Sequence, residues 1–122
     1  MIKIVLIALG GAAGSILRFL TSSWISRHFS GTFPMATFAV NIAGCFLAGL
    51  LAGSISNYFS NNEQLRLLLI VGFCGGYTTF SAFALENMRL LQSGNSLTAL
   101  SYIFFSVLIG LVAVWGGLSL TK

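Results

Sequence analysis

The chain has 122 residues, of which 57% are hydrophobic and 7% charged, with a formal net charge of +4. Soluble domains carry about 25% charged residues, so this composition excludes a water-soluble globule and indicates an integral membrane protein, one unit over residues 1–122. The six Lys and Arg residues are scattered, which excludes nucleic acid and a polybasic lipid-binding tract as partners, since both need clustered cations.

Four apolar segments follow, each near the length of about 20 residues that spans a bilayer. The first runs from Ile2 to Ile25. Lys3 before an apolar run and Ala12-Ala13-Gly14 has the outline of a cleaved signal. Apolar character resumes after Arg18, however, with Phe19-Leu20 and Trp24-Ile25, so a retained first helix is expected. Gly10, Gly14 and Arg18 recur every fourth residue and share a face. The Gly-x-x-x-Gly spacing invites a second helix to close approach. Arg18, read as lying near the end of the span, is either a snorkelling anchor or a cation at a pore mouth that attracts anions.

The second segment runs from Met35 to Tyr58, just after the only proline, Pro34, which suits a helix start. Thr37, Asn41, Cys45 and Gly49 align at one-turn intervals. Gly49 and Gly53 form another small-residue seam. A buried Asn amide needs partners, and an interhelical hydrogen bond explains Asn41 as readily as a ligand role. Neither Cys45 nor Cys74 has a further Cys or a His at metal-ligand spacing, so both read as small packed thiols.

The third segment, Leu65 to Leu91, contains Gly72-Phe-Cys-Gly-Gly-Tyr-Thr-Thr-Phe-Ser-Ala-Phe-Ala-Leu-Glu86. Three glycines within five residues, then two threonines, predict a break in the helix around Gly72 to Gly76. Broken backbone at membrane depth is tolerated where it is buried in protein or lines a cavity, which makes this stretch the first candidate for function. Phe80 and Phe83 share a face after the break, with Thr79 and Ser81 pointing elsewhere. Glu86 and Arg89 are spaced to pair with each other. The fourth segment, Leu97 to Leu120, begins where Ser96 is expected to cap and carries Tyr102, Ser106 and Gly110 as a thin stripe. Alone such a stripe is helix–helix glue; beside Thr37 and Asn41 it resembles the wall of a pathway.

With four spans, Lys3, Arg66 and Lys122 fall on one side and Arg18, Arg27 and Arg89 on the other. Three cations against three leave the positive-inside rule without a preferred orientation. An antiparallel homodimer is then natural, and the glycine seams are expected to supply its close contacts.

These residues together resemble the Fluc (CrcB) fluoride channel family over essentially the whole chain. The strongest element is Gly72 to Phe83, similar to the family's helix-three signature. Val40-Asn41-Ile42-Ala43-Gly44 and Gly10-Gly11 to Gly14 with Arg18 resemble its second and first helices. The resemblance implies an all-α membrane protein in which an antiparallel, dual-topology homodimer of four-helix subunits with a broken third helix encloses two pores. It implies passive export of fluoride across a bacterial inner membrane, relieving fluoride toxicity. It also implies a structural Na+ at the dimer axis, held by main-chain carbonyls at positions matching Gly75 and Thr78. The pore residues it implies are Phe80, Phe83, Asn41, Ser106 and Tyr102; beside them Arg18, Thr37, Thr79 and Ser81 are candidates for a pore vestibule. The next position of the helix-four track falls on Gly110, which has no hydroxyl, and Tyr77 and Ala82 replace a frequent Leu and Thr.

No nucleophile–base pair or metal triad is present in the sequence, and His28 stands alone, so an enzyme is not expected. The competing reading is a small proton-coupled multidrug exporter, also a four-helix dual-topology dimer. That chemistry needs an intramembrane carboxylate, for which Glu86 is the one candidate. A purely structural membrane protein accounts for the glycine seams but not for a broken helix beside two polar stripes.

Overall fold

The computed structural model describes residues 1–122 and is all helical. Helix α1 is Ile2–His28, α2 is Met35–Tyr58, α3 covers 63–77, α4 is Phe80–Gln92 and α5 is Ser96–Leu120. Together α3 and α4 make the third of four spans, Glu63–Gln92, and all four are long and apolar enough to cross a bilayer. Only 19 of 122 residues are buried, and side chains such as Leu9, Phe19, Leu111 and Trp115 are more than half exposed. In water that much bare apolar surface would drive aggregation; in a bilayer it is the lipid-facing coat. At the end of α1 Trp24 stacks on His28 with ring centroids 4.3 Å apart, a pairing suited to the headgroup layer.

Two tight helix pairs build the subunit. In the first, α1 packs on α3 backbone to backbone. A Cβ on Gly14 would strike the Phe73 carbonyl and come within 2.9 Å of the Tyr77 nitrogen; Gly72 faces Ile7 and Gly10, and Gly76 faces Gly11. In the second, α2 runs along α5, with Gly49 against the Val114 backbone, Gly53 against Thr121 and Gly117 against the Phe46 carbonyl. Asn57 Nδ2 closes the far end by donating to the Thr121 carbonyl at 2.6 Å. Both Gly-x-x-x-Gly seams are therefore filled within one chain, and the expectation that they provide dimer contacts is corrected.

Two of the helix starts, those of α3 and α4, carry a side-chain cap. Asn62 Oδ1 accepts from the Leu65 N–H at 3.1 Å and opens α3. Ser96 does not cap α5 as expected: it is already helical, the residue before it is Asn95, and no side-chain cap bond forms there. Helix α1 also runs three residues beyond its expected end at Ile25. Lys3 Nζ meets Glu63 Oε1 at 2.8 Å, tying the start of α1 to the start of α3 on one side of the membrane.

Candidate functional site

The third span breaks at Thr78 and Thr79, not within Gly72 to Gly76 where it was predicted. The glycine stretch stays helical, with wide π-type turns over Arg66–Cys74 followed by Gly75–Tyr77. Gly72 and Gly76 serve the close approach of α1, as above, and Gly75 faces the groove; none of them opens the chain. The threonines make the break. Thr78 is extended (φ −85°, ψ 160°) and so is Thr79 (φ −149°, ψ 118°). Thr78 Oγ1 donates back to the Cys74 carbonyl at 2.9 Å, closing α3. Thr79 Oγ1 accepts from the Ala82 N–H at 3.1 Å, opening α4.

Asn41 of α2 holds the gap. Its Oδ1 accepts from the Thr79 N–H at 2.8 Å and its Nδ2 donates to the Thr79 carbonyl at 3.1 Å. One amide thus replaces two of the backbone bonds that the break removes, the requirement for irregular backbone at this depth. The amide's second N–H is not engaged in the chain. Arg18 serves the same region: its Nε donates to the Gly76 carbonyl at 3.1 Å. It is neither at the span's end nor a snorkelling anchor, since α1 continues to His28, about 15 Å further along the axis.

The break opens into a groove of about 500 Å³ lined by α2, α3, α4 and α5. Asn41, Gly75, Thr78, Thr79, Phe80, Phe83 and Ser106 all line it, as do Cys45 and Cys74. Phe80 is 78% exposed. Its ring lies 5.7 Å from that of Phe83 at 42°, and Phe83 meets Tyr102 edge-on at 4.8 Å. Ser106 Oγ is buried and has no hydrogen-bond partner. The Thr78 carbonyl accepts no bond from the chain, and the N–H that would close a helical turn on Gly75, that of Thr79, is turned to Asn41.

Four expected site residues lie outside this groove: Arg18, bonded to Gly76 as above, and Tyr102, Thr37 and Ser81. Tyr102 is fully buried, and its hydroxyl donates to Glu86 Oε1 at 2.9 Å. Thr37 donates to the other oxygen of Glu86, Oε2, at 2.7 Å. Ser81, exposed on the first turn of α4, lies 3.3 Å from Thr79 Oγ1. Glu86 is therefore held by hydroxyls from α2 and α5, and the expected Glu86–Arg89 pair does not form; the chain's one ion pair is Lys3–Glu63. Glu86 also lines a second cleft of about 390 Å³ beneath residues 29–34. Spacing on one helix pointed to Arg89; the real partners come from other helices and were invisible to it.

A four-span protein with a broken helix, a polar-lined groove at the break and a carboxylate hub beside it has the build of a membrane protein that moves small solutes. The chain belongs to the CrcB family (CrcB-like protein, Camphor Resistance), whose profile matches residues 5–118. It is 52% identical over 116 residues to a protein of Flavobacterium psychrophilum, and 54% identical over 116 residues to one of Azotobacter vinelandii, covering 95% of this chain and 94% of each relative. A Rhizobium etli protein is 43% identical over 122 residues, 100% of this chain and 98% of its own length. Each of these relatives is named a fluoride-specific ion channel FluC.

Proposed function

We propose that this multi-pass membrane protein is a fluoride-selective channel that lets the ion leave the cell passively through the plasma membrane. The observation that carries the reading is the groove itself, with two phenylalanine rings, an unpartnered serine hydroxyl and a free amide hydrogen at a helix break, in a chain whose relatives bear that channel's name. Aromatic rings are positive at their edges, so Phe80 and Phe83 present weak binding to a small hard anion. Ser106 Oγ and the spare Asn41 N–H add donors. The groove has no fixed cation in its wall that would hold the ion too long; conduction needs binding weak enough to release. Glu86 lines the cleft under residues 29–34, its two carboxyl oxygens accepting from the Thr37 and Tyr102 hydroxyls.

Efflux from liposomes loaded with fluoride or chloride, triggered by valinomycin, tests this. Rapid fluoride efflux without chloride efflux is expected, and Phe83→Ile should slow it. Folded protein that passes no fluoride would falsify the reading. Proton-gradient-driven uptake of a cationic drug would instead establish the exporter, with Glu86 as its coupling carboxylate.

The finer architecture is an antiparallel homodimer with two pores, joined at the groove face. Its support is the even charge distribution and the exposure of Phe80 and Gly75 on one subunit. The residues fit a central Na+: the Thr78 carbonyl is unpaired and that of Gly75 has lost its helical donor, and unwound carbonyls of this kind coordinate Na+ in membrane proteins. Bound there, the ion would satisfy both carbonyls and add positive charge near the anion's route. Sizing in detergent should give a particle of two 13.0 kDa chains, stable in sodium and weakened when N-methylglucamine replaces it. A folded monomer would remove the dimer, and sodium-independent stability would remove the ion.

A further inference from the structure

The groove wall holds two thiols that the conduction mechanism above leaves unused, Cys45 and Cys74, and Cys45 is the one on the face of α2 that carries Asn41. Helices α2 and α5 run parallel and in step: Cys45 packs on Gly110, and one turn later Gly49 packs on Val114. One turn earlier the same register sets Asn41 beside Ser106, both in the groove wall. A turn before that it sets Thr37 beside Tyr102, both bonded to Glu86. At the levels of Thr37 and Asn41 both helices carry polar side chains, whereas at the level of Cys45 only α2 does. There α5 contributes Gly110, with no side chain, and the polar atom facing it is Cys45 Sγ, 3.5 Å from where a Gly110 Cβ would stand. At the neighbouring level Ser106 Oγ is buried with no acceptor in the chain. A buried hydroxyl without a partner calls for an explanation, and an acceptor that arrives from outside the chain is the one this groove offers.

We propose that Cys45 is a contact residue of the anion pathway, its S–H taking the ion after Ser106 in the space a side chain at position 110 would otherwise fill. The inference rests on the fluoride-conduction reading. A thiol is a weak donor that carries no charge, so it neither repels nor traps an anion. Its weakness is what a transit site requires. The ligand class is a small, partly dehydrated halide, hydrogen-bonded and not covalently attached.

The test is fluoride efflux from liposomes with the full-length channel and four variants: Cys45→Ala, the near-isosteric Cys45→Val, Cys45→Ser, and Cys45→Ala combined with Gly110→Ser. The Gly110 site admits a small side chain, its neighbours being Cys45 Sγ at 3.5 Å and Ile42 Cδ1 at 4.0 Å. Cys45→Ala and Cys45→Val should lower the flux about three- to tenfold, the size of one lost hydrogen bond. Cys45→Ser should hold it near the original rate. The double variant should regain it, because a hydroxyl from α5 then replaces a thiol from α2 at the same level. A packing role is separated by Cys45→Val, which keeps the volume and removes only the donor, so flux kept in that variant overturns the proposal. Unchanged flux in both apolar variants overturns the proposal, as does a loss that neither hydroxyl restores. Absence of fluoride flux in the unaltered channel overturns the conduction reading itself, so the two failures are told apart.

Discussion

Asn41→Leu is expected to lose both folded protein and fluoride flux, while Asn41→Asp keeps the fold and loses only the flux. The leucine variant strands the N–H and the carbonyl of Thr79, which Asn41 satisfies at 2.8 and 3.1 Å. Each stranded buried group costs about 1–3 kcal/mol, and two together are a large part of the 5–15 kcal/mol that stabilises a typical protein. Aspartate still accepts from the Thr79 N–H, so the break keeps one of its two ties. It also puts a carboxylate into the groove wall, where an anion passes. Yield and monodispersity by gel filtration measure the first effect and liposome efflux the second. Wild-type flux in Asn41→Leu would show that the amide neither supports the break nor serves the ion.

The second large effect concerns the pair formed by α1 and α3. In Gly14→Val the new Cβ strikes the Phe73 carbonyl and the Tyr77 nitrogen. No rotamer relieves a clash with backbone, so the whole of α3 must shift, and overpacking of this kind costs about 1–3 kcal/mol or more. The shift carries the Gly76 carbonyl away from Arg18 and moves Gly75 and Thr78 at the break. Loss of monodisperse protein is expected. Gly116→Ala is the control, since a Cβ there meets nothing within 4 Å and should leave the protein unchanged. Equal behaviour of the two variants would mean that α1 and α3 do not pack as described.

The contrast between these two glycines shows how composition misleads. Glycine in a helix reads as a weak point, and the cluster at Gly72 to Gly76 was expected to be the break. In the folded chain Gly72 and Gly76 lie under α1, and the price of their low helix propensity is offset by a backbone contact that no larger residue allows. Thr78 and Thr79 are the real break: the Thr78 hydroxyl donates to the Cys74 carbonyl at the end of α3, and the Thr79 hydroxyl accepts the free Ala82 N–H at the start of α4. That signal was present in the sequence, but it carries meaning only once Asn41 is known to stand opposite. Glu86 teaches the same lesson: Arg89 is its neighbour along the chain, whereas its partners Thr37 and Tyr102 are 49 and 16 residues away.

What the sequence determined by itself was the number of spans, their limits to within a few residues, and the helix faces that carry Asn41, Ser106 and Phe80. These follow from local causes: apolar length sets a span, and four-residue spacing sets a helix face. The resemblance carried by Gly72 to Phe83 named the channel class before any fold was seen. Only the tertiary structure decided where the third span parts, which glycines join which helices, and what holds Arg18, Glu86 and Asn41. Those are long-range contacts, and in a bilayer every polar group left over by a break must find its partner on another helix. The register of α2 on α5, which puts Cys45 beside Gly110, is the same kind of fact: each stripe was legible alone, and the level they share was not.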